Sequence, residues 1–268
     1  MGLLENVKRA FNIGGATITI VTDDEVHAQG GPVTGQIHIQ GGDRALAGRS
    51  ITLALREFWT ETTVDNNGTK VKTVYKTWDS TTLAYDFSIP PQTETSYPFD
   101  FQLSSNCRLS ASGTGWQLQV KLDVPNALNP GNSVTLQVDP AEVFMEILQA
   151  CVTELGFQET KRSWTEKTAT THFRLNPPET LTAEFDYIRL ELSETDDGSV
   201  IGYLVGDLQE KTFGDYFKAM LNRDKVKIPI LRTRDDLFAP DGTPRRKATA
   251  LFIGEHLQAV IRQRNEAR

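Results

Sequence analysis

The most constraining feature of this sequence is a long run of alternating apolar and polar residues between Ala16 and Asp139. Successive side chains of a β-strand point to opposite faces, so a period of two predicts strands with one buried and one solvated face. The alternation is clearest at 83–89, 99–103, 116–124 and 134–138. Segments rich in Gly, Pro, Asp and Asn separate these runs and are typical of turns. Half-polar strands belong to antiparallel sheets packed face to face, so the region is predicted to be a β-sandwich of about eight strands.

One stretch of the chain carries helix signals instead, and it reads DPAEVFMEILQACVTELG from Asp139 to Gly156. Asp139 is the predicted N-cap, Glu142 completes a capping box, and Gly156 supplies the stop. The apolar residues fall on one stripe at helical spacing, namely Val143, Phe144, Ile147, Leu148, Cys151 and Leu155. The sequence therefore predicts an amphipathic helix between two β regions. It either joins two lobes that together cover the stripe or packs on one of them.

Beyond this helix the alternation is weaker. Strands are predicted at 165–175, 185–192, 200–208 and 226–230, and helices over 213–221 and 251–264. In the second of these strands, Phe185 and Tyr187 fall on the opposite phase to Ile188, which indicates a bulge or a strand buried on both faces. Gly254 weakens the last helix.

These patterns divide the 268 residues into four predicted segments. They are an N-terminal β-sandwich lobe at 1–138, a connecting helix at 139–157, a C-terminal β-rich lobe at 158–230 and a basic extension at 231–268. The length allows two domains with separate cores. The predicted class is mainly β, with two sandwich lobes joined by an amphipathic helix and short terminal helices.

Both ends of the chain carry candidate partner-binding residues. A short N-terminal helix is predicted to present Leu3, Leu4, Val7 and Phe11 on one side and to end at Gly14 and Gly15. This helix is expected either to contact a partner or a membrane surface, or to fold back onto its own domain.

At the other end, Arg245, Arg246 and Lys247 begin a positively charged stretch on a chain whose formal charge is −7. The stretch is interpreted either as a solvated terminal helix or as a tether. A tether would bind an acidic surface of its own or a neighbouring subunit, or anionic lipid.

Bulk properties exclude several classes of protein. A formal charge of −7 argues against a protein that coats nucleic acid, and no apolar run is long enough to span a bilayer. The N-terminus has no secretory pattern. Two cysteines, Cys107 and Cys151, do not form a disulfide framework, which fits a reducing compartment.

No catalytic, cofactor or metal site is predicted. The four histidines have no second His or Cys at ligand spacing, and the aspartates at 235, 236 and 241 lack the spacing of a calcium loop. The segment SASGTGW around Ser112 lacks the arrangement of a nucleophile elbow. The chain is therefore predicted not to be an enzyme.

Three segments resemble a known family. The segment GGPVTGQIHIQGGDRALAGRSITLAL, with Gly31, Pro32 and Gly35, resembles the start of bacterial sporulation-control proteins of the stage-zero M type. FSIPPQTETSYPFDFQL resembles a strand pair of arrestin-like N-terminal domains, and DPAEVFMEILQACVTELGF resembles the helical connector of the same bacterial family. The resemblance implies an arrestin-like fold of two β-sandwich lobes, a cytoplasmic location, and a regulatory or scaffold role exerted through protein contacts. It covers roughly residues 1–230 and leaves out the tail from Leu231 to Arg268.

A second hypothesis is a carbohydrate-binding or hydrolytic β-sandwich. Four tryptophans, Trp59, Trp78, Trp116 and Trp164, could provide stacking platforms, and Gln117, Gln119 and Lys121 form a polar strand face. The orientation of Trp116 separates the two hypotheses. Burial of Trp116 beside Leu118 favours the regulator, whereas aromatics that line an open cleft favour the sugar binder.

Overall fold

The computed structural model describes residues 8–13, 15–65, 68–125, 132–208 and 225–266. The chain divides into two compact units, Met1–Asp139 and Pro140–Arg268. The helix predicted over 213–221 lies outside the described residues, as do Leu3, Leu4 and Val7.

The first unit is a sandwich of two sheets. Its strands are β1 (Lys8–Ile13), β2 (Ala16–Thr22), β3 (Val26–Ala28), β4 (Pro32–Gln40), β5 (Leu46–Asp65), β6 (Gly68–Ile89), β7 (Glu94–Gln102), β8 (Thr114–Asp123) and β9 (Asn132–Asp139). One sheet has the order β1-β2-β4-β7 and the other β3-β9-β8-β5-β6. The strands pair antiparallel except for β3 and β9, which are parallel.

The two sheets share one apolar core because the alternation places every second side chain on an inner face. Ile18 and Ile37 from the first sheet, and Leu53, Leu118 and Val120 from the second, are all fully buried in this core. Each such side chain contributes about 1.5 to 3 kcal/mol on burial. The predicted sandwich of half-polar strands is therefore what the first unit forms.

The predicted N-terminal helix is wrong at Phe11. This residue lies in β1, where it pairs with Ile18 of β2. Gly15, taken as part of a helix stop, has a φ of +85° in the turn that joins the two strands. A helix stop and this hairpin turn both need a positive φ, so a glycine suits either of them. The hairpin forms here because β1 pairs with β2 and adds an edge strand to the sheet.

The second unit combines one sheet with helices. Its elements are α1 (Glu142–Gln149), a π-helical turn (Ala150–Glu154), β10 (Gln158–Thr165), β11 (Thr170–Asn176), β12 (Phe185–Glu194), β13 (Val200–Leu208), β14 (Lys225–Arg232), α2 (Arg234–Leu237) and α3 (Arg246–Glu266). The five strands pair antiparallel in the order β10-β11-β12-β13-β14. The bulge predicted near Phe185 is present, because the register with β13 shifts between Phe185 and Tyr187.

Helices supply the second layer of this unit. The buried stripe of α1 packs in one core with the sheet and with α3, and this core includes Phe144, Ile147, Phe173, Leu190, Leu204 and Leu257. The sequence predicts a second sandwich, whereas the described residues of the second unit form a single sheet. An amphipathic helix can cover a sheet face as well as a second sheet can. The stripe of α1 is thus buried in the core of the second unit.

The start of α1 differs from the prediction. Its N-cap is Ala141, which makes no capping hydrogen bond through its side chain. Asp139, the predicted N-cap, is instead the last residue of β9, where it pairs with Ala28 and its carbonyl accepts a hydrogen bond of 2.9 Å from Gln29 N–H. The strand pairing takes the backbone of Asp139 out of the geometry that a cap needs.

The end of the helical stretch and the terminal helix follow the prediction more closely. Gly156 has a φ of +76°, as a helix stop requires. The terminal helix α3 begins at Arg246 and runs through Gly254, which costs about 1 kcal/mol relative to alanine. Packing of Ile253 and Leu257 in the core offsets that cost.

Candidate interaction surfaces

Both cysteines are unreactive in this structure. Cys107 and Cys151 are buried and unpaired. Burial raises the pKa of each thiol to about 12, so both stay protonated at neutral pH. A protonated thiol is neither a nucleophile nor a metal ligand.

His27 and His38 lie in different surroundings and contact different residues. His27 is buried in β3 and its Nδ1 lies 3.3 Å from the Pro32 carbonyl oxygen, whereas His38 lies 2.9 Å from Glu94 at the surface. Across the described residues, no group of three His, Cys, Asp or Glu side chains is placed to hold a metal ion.

Trp116 points into the core of the first unit. It is fully buried on the same face as Leu118, and its Nε1 donates a 2.7 Å hydrogen bond to the Arg108 carbonyl oxygen. On the polar strand face that was predicted to bind sugar, Gln117 is buried and Gln119 accepts a 2.7 Å hydrogen bond from Arg56. Trp116 therefore cannot stack on a sugar, and the observation favours the regulator over the carbohydrate binder.

The hairpin of β5 and β6 is an exposed element of the first unit. Among the described residues, β8 pairs with β5 only from Ser50 to Trp59. Beyond that point the register of the hairpin continues to Asp65 and Gly68 with no third strand. The segments 60–65 and 68–73 form a two-stranded ribbon that extends past β8, which we call the ribbon.

Large apolar side chains lie exposed on and beside the ribbon. Val71 is 67% exposed and Tyr75 is 47% exposed. Tyr75 packs against Phe58 at 6.1 Å between ring centroids, and the Arg56 guanidinium lies 4.6 Å from the Tyr75 ring. These contacts hold an aromatic side chain in place at the surface, which is a property of protein-binding surfaces.

The base of the ribbon is held by a buried ion pair. Arg108 Nε donates to Glu57 Oε1 at 2.6 Å, and both side chains are mostly buried. The Arg108 guanidinium also lies 5.5 Å from the Trp59 ring. The ribbon is thus anchored at one end and exposed at the other.

The sequence carries a local signal for the ribbon. DNNG at residues 65–68 predicts a tight turn, and the residues after it, TKVKTVYKTW, leave neither strand face consistently apolar. A strand pair that lacks an apolar face cannot be packed on either side, so it has to be exposed.

The predicted partner-binding residues of the tail lie at the start of α3 and before it. Arg246 makes a double hydrogen bond to Glu146 of α1, with Nε to Oε2 at 2.7 Å and Nη2 to Oε1 at 2.9 Å. The backbone N–H of Arg245 donates to the Leu237 carbonyl oxygen at 2.7 Å. Arg246 therefore helps to hold α3 on α1, and its role as a partner contact stays a prediction.

Lys247 borders a surface groove of about 440 Å³ between the π-helical turn and α3. The groove has Leu155 and the exposed Leu251 on its walls, with Glu154 and Arg262 at the rim. Lys247, one of the three predicted tail residues, therefore lies at a concave surface.

A larger groove lies on the open face of the second unit's sheet. It has a volume of about 590 Å³ and its lining includes Thr165, His172, Ser193, Ile201, Tyr203 and Leu231. Ile201 is 43% exposed and Leu231 is 65% exposed. Burial lowers the pKa of His172, opposed by Glu191 and assisted by Arg189. We call this concavity the sheet groove.

The sequence profile of the SpoOM protein family matches residues 4–191. The chain belongs to the SpoOM family. Among solved structures, the crystal structure of Spo0M, sporulation control protein, from Bacillus subtilis is similar at a TM-score of 0.60 and 17% sequence identity. That match covers 92% of this chain and 99% of that one. No curated protein matches the sequence.

Membership in the SpoOM family confirms the predicted resemblance and the mainly β, arrestin-like fold. It also supports a regulatory role. In the described part of the chain, the helices are too short or too polar to cross a membrane.

Proposed function

We propose that this SpoOM-family chain is a non-enzymatic regulator that acts by binding other proteins through the ribbon of its first unit. The observation that carries the proposal is the exposed side chain of Val71 on the ribbon, together with the exposed Tyr75 beside the ribbon on the same strand. Exposed apolar residues on a projecting edge are costly for a free protein unless a partner covers them.

The chemistry of the chain supports a binding role over a catalytic one. The two thiols are buried and protonated, and Trp116 is part of the core. The Bacillus subtilis relative is a sporulation control protein, and we propose control of sporulation as the process. Two buried, unpaired cysteines support a location in the cytoplasm.

The test is capture of partners from a lysate of the source organism with the native protein and with a Val71→Ser, Tyr75→Ser variant. We expect the proteins captured reproducibly by the native chain to be lost from the variant. Tyr85→Ser is the matched control, because Tyr85 is an exposed tyrosine of the same strand that lies opposite Ser50, within the sandwich. The control variant should capture the same proteins as the native chain.

Two results would contradict the proposal. If the Tyr85→Ser and ribbon variants captured the same proteins, the ribbon would not be the binding surface. If the native protein captured nothing reproducible and instead bound glycans on an array, the sugar-binding hypothesis would replace the regulator.

A further inference from the structure

Four basic side chains form a straight row across the open face of the second unit's sheet. The strand register places Lys161 opposite Arg174, Arg174 opposite Arg189, Arg189 opposite Val205, and Val205 opposite Lys227. At ~4.8 Å between strands, the row spans ~19 Å. We call Lys161, Arg174, Arg189 and Lys227 the basic row.

This arrangement is unfavourable for the free protein. Like charges directly opposite each other on neighbouring strands destabilise a sheet. Within the described residues, Arg189 is the member of the row that has a carboxylate partner, Glu191 at 2.8 Å. The charge of Arg174 is placed over the Tyr187 ring at 4.0 Å, and that of Lys227 lies 5.5 Å from the Tyr203 ring. The chain as a whole is acidic, so the row is not a consequence of a basic composition.

The basic row continues into the sheet groove on the same face. The residues two positions along each strand are Ser163, His172, Glu191, Tyr203 and Pro229, and the next row contains Thr165, Thr170, Ser193, Ile201 and Leu231. At ~3.3 Å per residue, the exposed Ile201 and Leu231 lie ~13 Å from the cations. One face therefore offers a line of positive charge beside an apolar depression that has hydroxyl groups on one wall.

We propose that this face binds an acidic segment of a partner protein, with Asp or Glu side chains over the basic row and a large apolar side chain in the sheet groove. Charge complementarity selects the acidic residues, because the four cations of the row are flanked on this face by two carboxylates, Glu191 on one side and Asp207 on the other. An extended segment covers ~13 Å with about four residues, so the apolar residue follows or precedes the acidic ones by about four positions. The site lies in the second unit and does not depend on the ribbon.

A protein segment fits this face better than an anionic membrane does. Ile201 and Leu231 line the sheet groove, a concave surface that a side chain of a partner protein can fill and a flat lipid layer cannot. The hydroxyl groups of Thr165 and Ser193 can instead pair with peptide groups.

The test is selection of binders from a library of random ten-residue peptides on the full-length protein. The same selection is made with a Lys161→Glu, Arg174→Glu, Lys227→Glu variant, which leaves Arg189 and its ion pair intact. We expect the native protein to enrich acidic peptides with one large apolar residue. We also expect the variant to bind those peptides at least tenfold more weakly than the native protein does. The affinity of the native protein should fall as salt is raised. Leu231→Ser should weaken the same peptides without changing the salt dependence.

The matched control is Arg44→Glu, Arg49→Glu, Lys121→Glu, which changes the net charge equally at exposed positions of the first unit that lie outside the ribbon. It should bind the selected peptides as the native protein does. Enrichment of neutral or basic peptides, no enrichment, or equal loss in the control would overturn the proposal. Vesicles of phosphatidylserine and phosphatidylcholine serve as the second probe. If they bound the native protein but not the basic-row variant, and no peptide was enriched, the face would be a lipid site instead.

Discussion

The two units of this chain bury an apolar core in different ways. In the first unit one sheet covers another, and the core boundary includes buried polar side chains such as His27, Gln29 and Glu57. In the second unit helices cover one face of a single sheet, and the buried polar side chains there are Thr171 and Thr249 within the described residues. Among the described residues, a carboxylate, Glu57, is thus buried in the first unit, whereas the buried polar side chains of the second unit are uncharged.

The difference has a physical origin. A buried charge must be paired where it lies, so it makes the first unit sensitive to the loss of a single partner. Charges at the surface are screened by water and contribute less to stability, which leaves the second unit's charges available for binding. We expect the first unit to respond strongly to substitution of its polar groups and to pH, and the second to respond weakly.

The largest expected effect tests whether the cores of both units exclude water. Ile147→Asp in α1 and Leu53→Asp in β5 each place a carboxylate at a fully buried position. Each should cost about 4 kcal/mol or more, because the group has neither water nor a partner there. Amide hydrogen exchange should show loss of protection in the second unit for Ile147→Asp and in the first unit for Leu53→Asp.

Glu142→Asp is the control for the helix, because Glu142 is an exposed residue of the same α1. Its melting temperature should match that of the native chain. Native stability for Ile147→Asp would show that the apolar stripe of α1 is not packed.

The next effect compares one ion pair from each unit. Arg108→Met leaves the mostly buried Glu57 without its partner at 2.6 Å and should cost about 3 kcal/mol. Arg246→Met removes the bidentate pair with Glu146, in which the arginine is 39% exposed and the glutamate 13% exposed, and should cost about 1 kcal/mol. Urea unfolding at low and high salt measures both.

High salt should reduce the effect of Arg246→Met and leave that of Arg108→Met unchanged, since screening acts on solvated charges. Equal costs for the two substitutions would remove the distinction between the units. A Glu57→Gln, Arg108→Met double variant should recover part of the loss, because it no longer buries an unpaired charge.

The smallest effect is on the pH dependence of stability. Burial lowers the pKa of His27 below its ordinary value of 6.5, opposed by the Pro32 carbonyl and Asp24. Because folding lowers this pKa, the unfolded chain binds a proton at His27 more readily than the folded chain does. The stability contributed by neutral His27 is therefore fully present above pH 6.5 and is lost as pH falls through the folded pKa. His172 of the second unit is shifted in the same direction but lies near Glu191, which opposes the shift.

We therefore expect His27→Gln to flatten the acid loss of stability in the first unit more than His172→Gln flattens it in the second. Unfolding free energies measured at neutral pH and at about pH 5.5 check this expectation. A steeper pH dependence for the second unit would show that folding lowers the pKa of His172 further than that of His27.

Much of the fold could be predicted locally, and the errors occur where a distant partner decides the outcome. The strand Val200–Leu208 and the bulge at Phe185 follow from the phase of their own side chains. Phe11 was expected in a helix because Leu3, Leu4 and Val7 share its spacing, yet β2 offers it a strand partner. The candidate surfaces show the same limit, since the basic row joins residues from four strands and no local pattern contains it.

The sequence by itself determined which residues are apolar on which face, where the chain turns, and that reactive groups do not cluster along it. Periodicity is a local property, so it survives into any fold that buries those faces. Tertiary structure alone decided that α1 is covered by the second unit's sheet, that Asp139 ends a strand, and that Lys161, Arg174, Arg189 and Lys227 face one side together. Those outcomes depend on strand register and on which apolar surfaces meet, and both are set by contacts between residues far apart in the chain.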